Sequence, residues 1–259
     1  MYIDAHCHLA DPRLKSELPR WMSEAKARGI GVFVQGGVDP GDWERQRSLK
    51  TQYPGQIITA YGLHPWWVAT HSEAEFELAF TALGLQIGEA DALGEFGLDH
   101  APKWEQSTYP AQLRALRAQL GLLKRAAKPV VLHVVRAHEP VLESIQESGL
   151  RELTGLVHSF SASKEIAKKY LDLGLTLSIS GVITRKGFET LRRAVSYIPI
   201  DRLVLETDSP DQKPDGWDRE WNEPLALFQV AEAVAEIRGT KAEDILQQSA
   251  ANLKKVFRI

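Results

Sequence analysis

Two histidines one residue apart close an apolar opening segment, Ile3-Asp4-Ala5-His6-Cys7-His8-Leu9. Side chains alternate along a strand, so His6 and His8 aim to one side and Cys7 to the other, where it packs as core. Two imidazoles converging from one strand end make half of a metal site, since zinc and related ions take three or four such ligands. The missing ligands must come from elsewhere in the chain. Ionisable residues that end other apolar runs are His64, Glu95 and Asp99, His133, His158, and Glu206 and Asp208.

The elements that must position them alternate in type. Beyond the first strand, strands are expected over 31–35, 57–61, 92–98, 129–133, 154–158, 175–180 and 202–206. Helices are expected over 17–28, 42–51, 72–83, 105–127, 140–148, 163–173 and 187–197, with two more at the end. Gly29 closes the first helix, Gly62 and Pro65 stop the third strand, and Ser72 with Glu75 forms a capping box. Repeated strand–helix units call for parallel strands, and eight of them close into a TIM-type (β/α)8 barrel. A chain of 259 residues has the length of one such barrel, so residues 1–259 are read as a single domain with an extra C-terminal helix.

Such barrels place chemistry at the C-terminal ends of their strands, and all the ionisable candidates fall there. His6, His8, Glu95, His133, His158 and Asp208 exceed what one zinc needs. They suit two divalent ions roughly 3.5–4 Å apart, with Glu95 as the bridging carboxylate. Mixed imidazole and carboxylate donors fit zinc, manganese, cobalt or magnesium alike.

Composition narrows the setting. A single cysteine excludes an internal disulfide and fits a reducing cytosol. No basic-then-apolar leader and no membrane-length apolar run is present, so the expectation is a soluble cytoplasmic protein. A formal net charge of −3 argues against a wide basic face for duplex DNA, and leaves a small anion or one strand end as partner.

Eight segments fall in a distinctive order: His6-Cys7-His8-Leu9, Gly62-Leu63-His64-Pro65, Gly94-Glu95-Phe96-Gly97-Leu98-Asp99, Val131-Leu132-His133, Val157-His158-Ser159-Phe160-Ser161, Ser180-Gly181-Val182-Ile183-Thr184, Glu206-Thr207-Asp208-Ser209-Pro210 and Asn222-Glu223-Pro224. Over nearly the whole chain they resemble the TatD family of metal-dependent deoxyribonucleases in the amidohydrolase superfamily. The resemblance implies a TIM-type barrel, a two-metal site and phosphodiester hydrolysis, often 3′-to-5′ on nucleic acid ends such as single-stranded DNA. By motif position His6, His8 and Asp208 would hold one ion and His133 and His158 the other, with Glu95 bridging. Asp208 is the candidate proton acceptor, and His64 and Lys186 match positions suited to phosphate contact. One departure stands out. Where the family often reads His-x-Arg after the fifth strand, this chain has His133-Val134-Val135-Arg136, so Arg136 would have to substitute from one residue on.

Trp66, Trp67, Trp104, Trp217 and Trp221 all fall in rim segments. Aromatic stacking grips single strands without sequence preference, which makes Trp66 and Trp67 candidates for a base platform or, more simply, for loop packing. The 211–220 loop is a candidate lid. Glu206 and Asp4 share strand parity with ligands and are candidates to orient them or to form buried ion pairs, while His71, His100 and His138 are expected to face solvent. Besides nuclease activity, hydrolysis of a small phosphoester, lactone or cyclic amide fits the same metals, as does a metal-stabilised binding subunit without essential catalysis.

Overall fold

A computed structural model describes residues 1–259, with nine parallel strands in two ladders, the first three strands in one and the last six in the other, each in chain order. They are β1 Tyr2–Cys7, β2 Ile30–Gln35, β3 Ile57–Ile58, β4 Ala60–Tyr61, β5 Ala92–Asp99, β6 Val130–Val135, β7 Gly155–Val157, β8 Thr176–Ile179 and β9 Leu203–Leu205. β3 and β4 are the two halves of the expected third strand. They part at Thr59, whose N–H leaves the ladder to donate to Asp91 Oδ2 at 2.8 Å. At the opposite seam, Asp208 N–H donates to the His6 carbonyl at 2.9 Å and His8 N–H to the Ser209 carbonyl at 2.7 Å. These bonds bring the segment after β9 against β1, in the TIM-type arrangement.

The connecting helices are α1 Leu18–Ala27, α2 Pro40–Gln52, α3 Pro65–Thr70, α4 Glu73–Gln86, α5 Tyr109–Ala126, α6 His138–Ser148, α7 Lys164–Asp172, α8 Glu189–Tyr197, α9 Leu227–Arg238 and α10 Ala242–Phe257. The expected capping box opens α4. α3 was not expected. Pro65 ends a strand, but it is also favourable in a first helical turn, and His64 caps it by accepting from Trp66 N–H at 3.0 Å. No helix is long and apolar enough to cross a membrane.

The extra C-terminal helix has a definite place. α10 packs against β1 and β9, and its Ala250 and Leu253 join the cluster formed by Val34, Ala60, Val131 and Leu156 from the strands. Its last residues, Phe257 and Arg258, lie beside Asp91, Pro129 and Thr154, which precede β5, β6 and β7. The helix therefore runs beneath the N-terminal ends of the strands, leaving the opposite end for the site.

Two irregularities re-aim side chains. The β1–β2 register shifts between Asp4 and Cys7, and the β5–β6 register shifts between Gly94 and Phe96. Bulges of this kind break the strict alternation of faces. As a result His6 turns toward the barrel mouth although Asp4, two residues earlier, does not. Asp4 accepts instead from Thr207 N–H at 3.0 Å and from the Thr207 hydroxyl, so its expected contact with an imidazole or a cation is not made.

His138 and His100 also depart from expectation, for they are half-buried rather than solvent-facing. His100 stacks on Tyr109 at 3.8 Å. His138 packs near Phe160 and Tyr170, with Nδ1 3.2 Å from the Tyr170 hydroxyl. Burial pushes His138 down to about 4. An unfolded imidazole titrates near 6.5, so between those values the unfolded chain binds a proton that the folded protein refuses. Stability should be fully present above about pH 6.5 and decline as pH falls toward 4, by at most about 1.4 kcal/mol per pH unit for this one group. Urea melts from pH 7.5 to 4.5 should show a shallower decline for His138→Phe than for the wild type. Parallel curves would remove His138 as the cause.

Candidate active site

The strand ends and the loops that follow them deliver nine ionisable side chains to one cluster. His6, Glu95, Asp99, His133, His158, Glu206 and Asp208 are buried, as is His64, while His8 keeps some exposure. A cavity of about 410 Å³ opens above them. The donor atoms form two overlapping nests.

In the first nest, His6 Nε2 and His8 Nε2 lie 3.2 Å apart. Glu95 Oε2 is 3.1 Å and 3.4 Å from them, and Asp208 Oδ1 is 3.6 Å and 3.4 Å from them. In the second, Glu95 Oε1 lies 2.6 Å from His133 Nδ1, 2.9 Å from His158 Nε2 and 3.1 Å from His64 Nε2. Each oxygen of the one carboxylate thus serves a different nest. His64, expected at a substrate phosphate, sits within the second nest, with Nε2 also 3.2 Å from His133 Nδ1.

This donor set fits metal. Ligands placed tetrahedrally at zinc–nitrogen and zinc–oxygen lengths are separated by roughly 3.3–3.5 Å, close to the spacings of the first nest. Neutral imidazole nitrogens and carboxylate oxygens carry lone pairs that repel at this range, and a cation between them converts the repulsion into ligation. Gly36 lies beside the same nest. A Cβ there would come within 2.5 Å of His6 Cε1, 2.6 Å of His8 Cε1 and 2.7 Å of Glu95 Oε2.

The electrostatics point the same way. Burial alone would raise Glu95, but His158, His64 and His6 around it hold it well below the usual carboxylate range. Burial would likewise raise Asp208, yet His8, His158 and His6 bring it down to about 2. Burial would lower His8, but Asp208 and Glu95 push it up to about 9. The buried carboxylates stay ionised and draw positive charge toward themselves.

Neighbouring side chains fix the imidazoles. Asp99 Oδ2 lies 3.3 Å from His133 Nε2, the ring nitrogen on the far side from Glu95, and accepts from the Trp66 indole N–H. Glu206 Oε1 lies 3.4 Å from His158 Nδ1 and accepts from Ser159 N–H at 2.7 Å. Carboxylates behind ligand histidines set ring orientation and tautomer. The Asp99 contact was not foreseen, although its place at the end of the third motif was a signal. Cys7 points away, with Sγ 3.5 Å from the Val34 carbonyl, as alternation beyond the bulge requires.

The remaining candidates divide. Trp66 lines the cavity, and so does Val135. Lys186 and Arg136 are exposed and outside its lining, and Trp67 stacks on His71 while packing against the core. Arg13, Arg45 and Gln212 do line it, and nothing in the sequence pattern marked them. The candidate lid is pinned at several points: Arg13 bonds Asp211 at 3.2 Å, Asn222 Nδ2 donates to the Asp211 carbonyl at 2.8 Å, and Asp215 N–H donates to Thr184 Oγ1 at 2.7 Å.

A parallel barrel with clustered histidines and carboxylates at its C-terminal mouth defines a metal-dependent hydrolase. Residues 3–258 match the model of the TatD-related DNase family, and the chain belongs to that family. It is 31% identical over its whole length to the metal-dependent hydrolase YabD of Bacillus subtilis, which it also covers completely. It is 33% identical to the 3′-5′ ssDNA/RNA exonuclease TatD of Erwinia billingiae, over 99% of this chain and 98% of that one. Among solved structures, the TatD homologue YjjV of Escherichia coli superposes with a TM-score of 0.88 at 28% identity, covering 100% of this chain and 98% of the other.

Proposed function

We propose that this protein removes nucleotides from nucleic acid ends, single-stranded DNA foremost, by hydrolysis at a centre of two divalent ions. The observation that carries the reading is the Glu95 carboxylate, whose two oxygens each face a separate nest of imidazoles. His6, His8 and Asp208 would hold one ion and His133 and His158 the other, with Glu95 bridging and His64 beside the second. Bound there, the ions would acidify the attacking water and offset charge developing on the phosphoryl oxygens. Asp208, whose carboxylate lines the cavity, would be the group to accept a proton from a water entering there. Glu95, Asp99 and Glu206 hold the imidazoles in place from behind and between. The name of the Erwinia billingiae relative supports strand ends as substrate. The cavity volume lies within the roughly 300–1,000 Å³ of small-ligand sites, which suits one terminal nucleotide better than a duplex.

The test is a cleavage assay with magnesium, manganese or zinc on end-labelled single strands, duplexes and bis(4-nitrophenyl) phosphate. Progressive shortening of the single strand is expected, fastest from a free 3′ end. Turnover of the aryl diester alone would replace this reading with hydrolysis of a small ester.

A further inference from the structure

The cavity needs a cation for a polyanionic strand, and the cations in its wall are already committed. Arg13 bonds Asp11 at 2.7 Å and Asp211 at 3.2 Å. Arg45 bonds Asp42 and the Ala10 carbonyl, each at 3.2 Å. At the edge toward β5 and β6 the wall residue is Val135, which pairs in the ladder with Asp99. The loop that leaves Asp99 carries Lys103.

Lys103 is exposed, and its ammonium has no carboxylate within salt-bridge distance. It is held instead over two indoles, 3.7 Å from the centre of the Trp66 ring and 5.2 Å from that of Trp104. Trp66 lines the cavity, and its ring centre is 5.8 Å from that of His133. The indole is fixed from below, because Asp99 accepts its N–H while facing His133 Nε2. A cation resting on aromatic faces is oriented without being neutralised, since the rings offer a quadrupole and no formal charge. Its full positive charge stays available to an anion arriving at the mouth.

We infer that Lys103, seated on Trp66 and Trp104, binds the phosphate next to the scissile one in a single-stranded substrate, at the edge where Val135 offers no charge. The inference rests on the strand-end reading above and assigns Trp66 the task of positioning a cation. A mononucleotide ester with no second phosphate would not reach Lys103, so the residue selects for strands over isolated diesters.

The experiment compares metal-loaded wild type, Lys103→Met and Lys103→Arg. Methionine keeps an apolar stem over the indoles and removes only the charge. Binding is read by fluorescence anisotropy of labelled phosphorothioate tetrathymidylate, which keeps its backbone charge and resists hydrolysis, at several salt concentrations. Lys103→Met is expected to weaken binding about tenfold and to flatten the slope of log affinity against log salt by about 0.7, the value of one single-strand phosphate contact. Lys103→Arg should restore both, and turnover of bis(4-nitrophenyl) phosphate by Lys103→Met should stay within twofold of wild type. Unchanged affinity and slope would reduce Lys103 to a cover for the indoles and overturn the proposal, as would a matching loss of aryl-diester turnover. A wild type that binds the tetranucleotide with the expected lysine dependence yet hydrolyses only the aryl diester would sink the nuclease reading and leave the Lys103 contact standing. A wild type that does not bind the strand overturns both.

Discussion

Asp208→Asn is expected to lower kcat by about 10³-fold on bis(4-nitrophenyl) phosphate, in the middle of the range for loss of a general base. That corresponds to roughly 4 kcal/mol of transition-state stabilisation. The amide keeps the shape and the backbone bond from Asp208 N–H to the His6 carbonyl, so the seam should remain closed and the melting temperature near that of wild type. What it loses is the negative charge 3.4 Å from His8 Nε2 and the capacity to take a proton. A carboxylate at about 2 is a poor base at neutral pH, and that value has a specific origin in the positive charge of His8, His158 and His6. A divalent ion held by the same carboxylate would take over that pull, so the substitution tests whether Asp208 acts as a base at all or only as a ligand. Metal analysis beside the kinetics separates the roles: loss of one ion per chain marks Asp208 chiefly as a ligand, and full occupancy marks it as the base. An Asp208→Asn enzyme within tenfold of wild type would eliminate both.

The barrel was legible because its signals are local. Each strand is a short apolar run stopped by a turn residue or a ligand, and each helix carries its own caps, as Ser72 and Glu75 do. The cluster of histidines and carboxylates was legible because the fold sends every strand end to one rim, so that position in the sequence substitutes for position in space. What the sequence could not show is where alternation fails. Asp4 and His6 have the same parity, yet the register shift between Asp4 and Cys7 separates them, one toward Thr207 and the other toward His8 and Glu95. A bulge depends on how two strands meet and leaves no fixed mark in either. The cavity wall was hidden for a related reason. Arg13 and Arg45 are two among 31 lysines and arginines, and only loop geometry brings them to the mouth while leaving Lys186 outside.

Gly36→Ala and Gly37→Ala, one residue apart after β2, are expected to fail in opposite ways. At Gly37 an added Cβ would overlap the Ala60 carbonyl oxygen and come within 2.6 Å of the Gly94 carbonyl oxygen. Both are backbone atoms in neighbouring strands and cannot swing aside. The same glycine accepts from Glu95 N–H at 2.9 Å and donates to Gly94 O at 3.2 Å, so relief would have to prise the segment after β2 from β5. Overpacking that moves backbone costs about 3 kcal/mol or more, and Gly37→Ala should show that loss in urea melts or fail to accumulate as folded protein. At Gly36 the atoms in the way are the rings of His6 and His8 and the Glu95 carboxylate, which can rotate. The cost there falls on ligand geometry: stability within about 1 kcal/mol of wild type, with metal affinity down by about 10–100-fold, as for other displacements of ligand side chains. Dialysis against graded chelator followed by metal analysis reads the second effect directly. If Gly36→Ala instead retained metal as tightly as wild type, the space beside His6, His8 and Glu95 would not be the metal nest, and the assignment of the first ion would have to move.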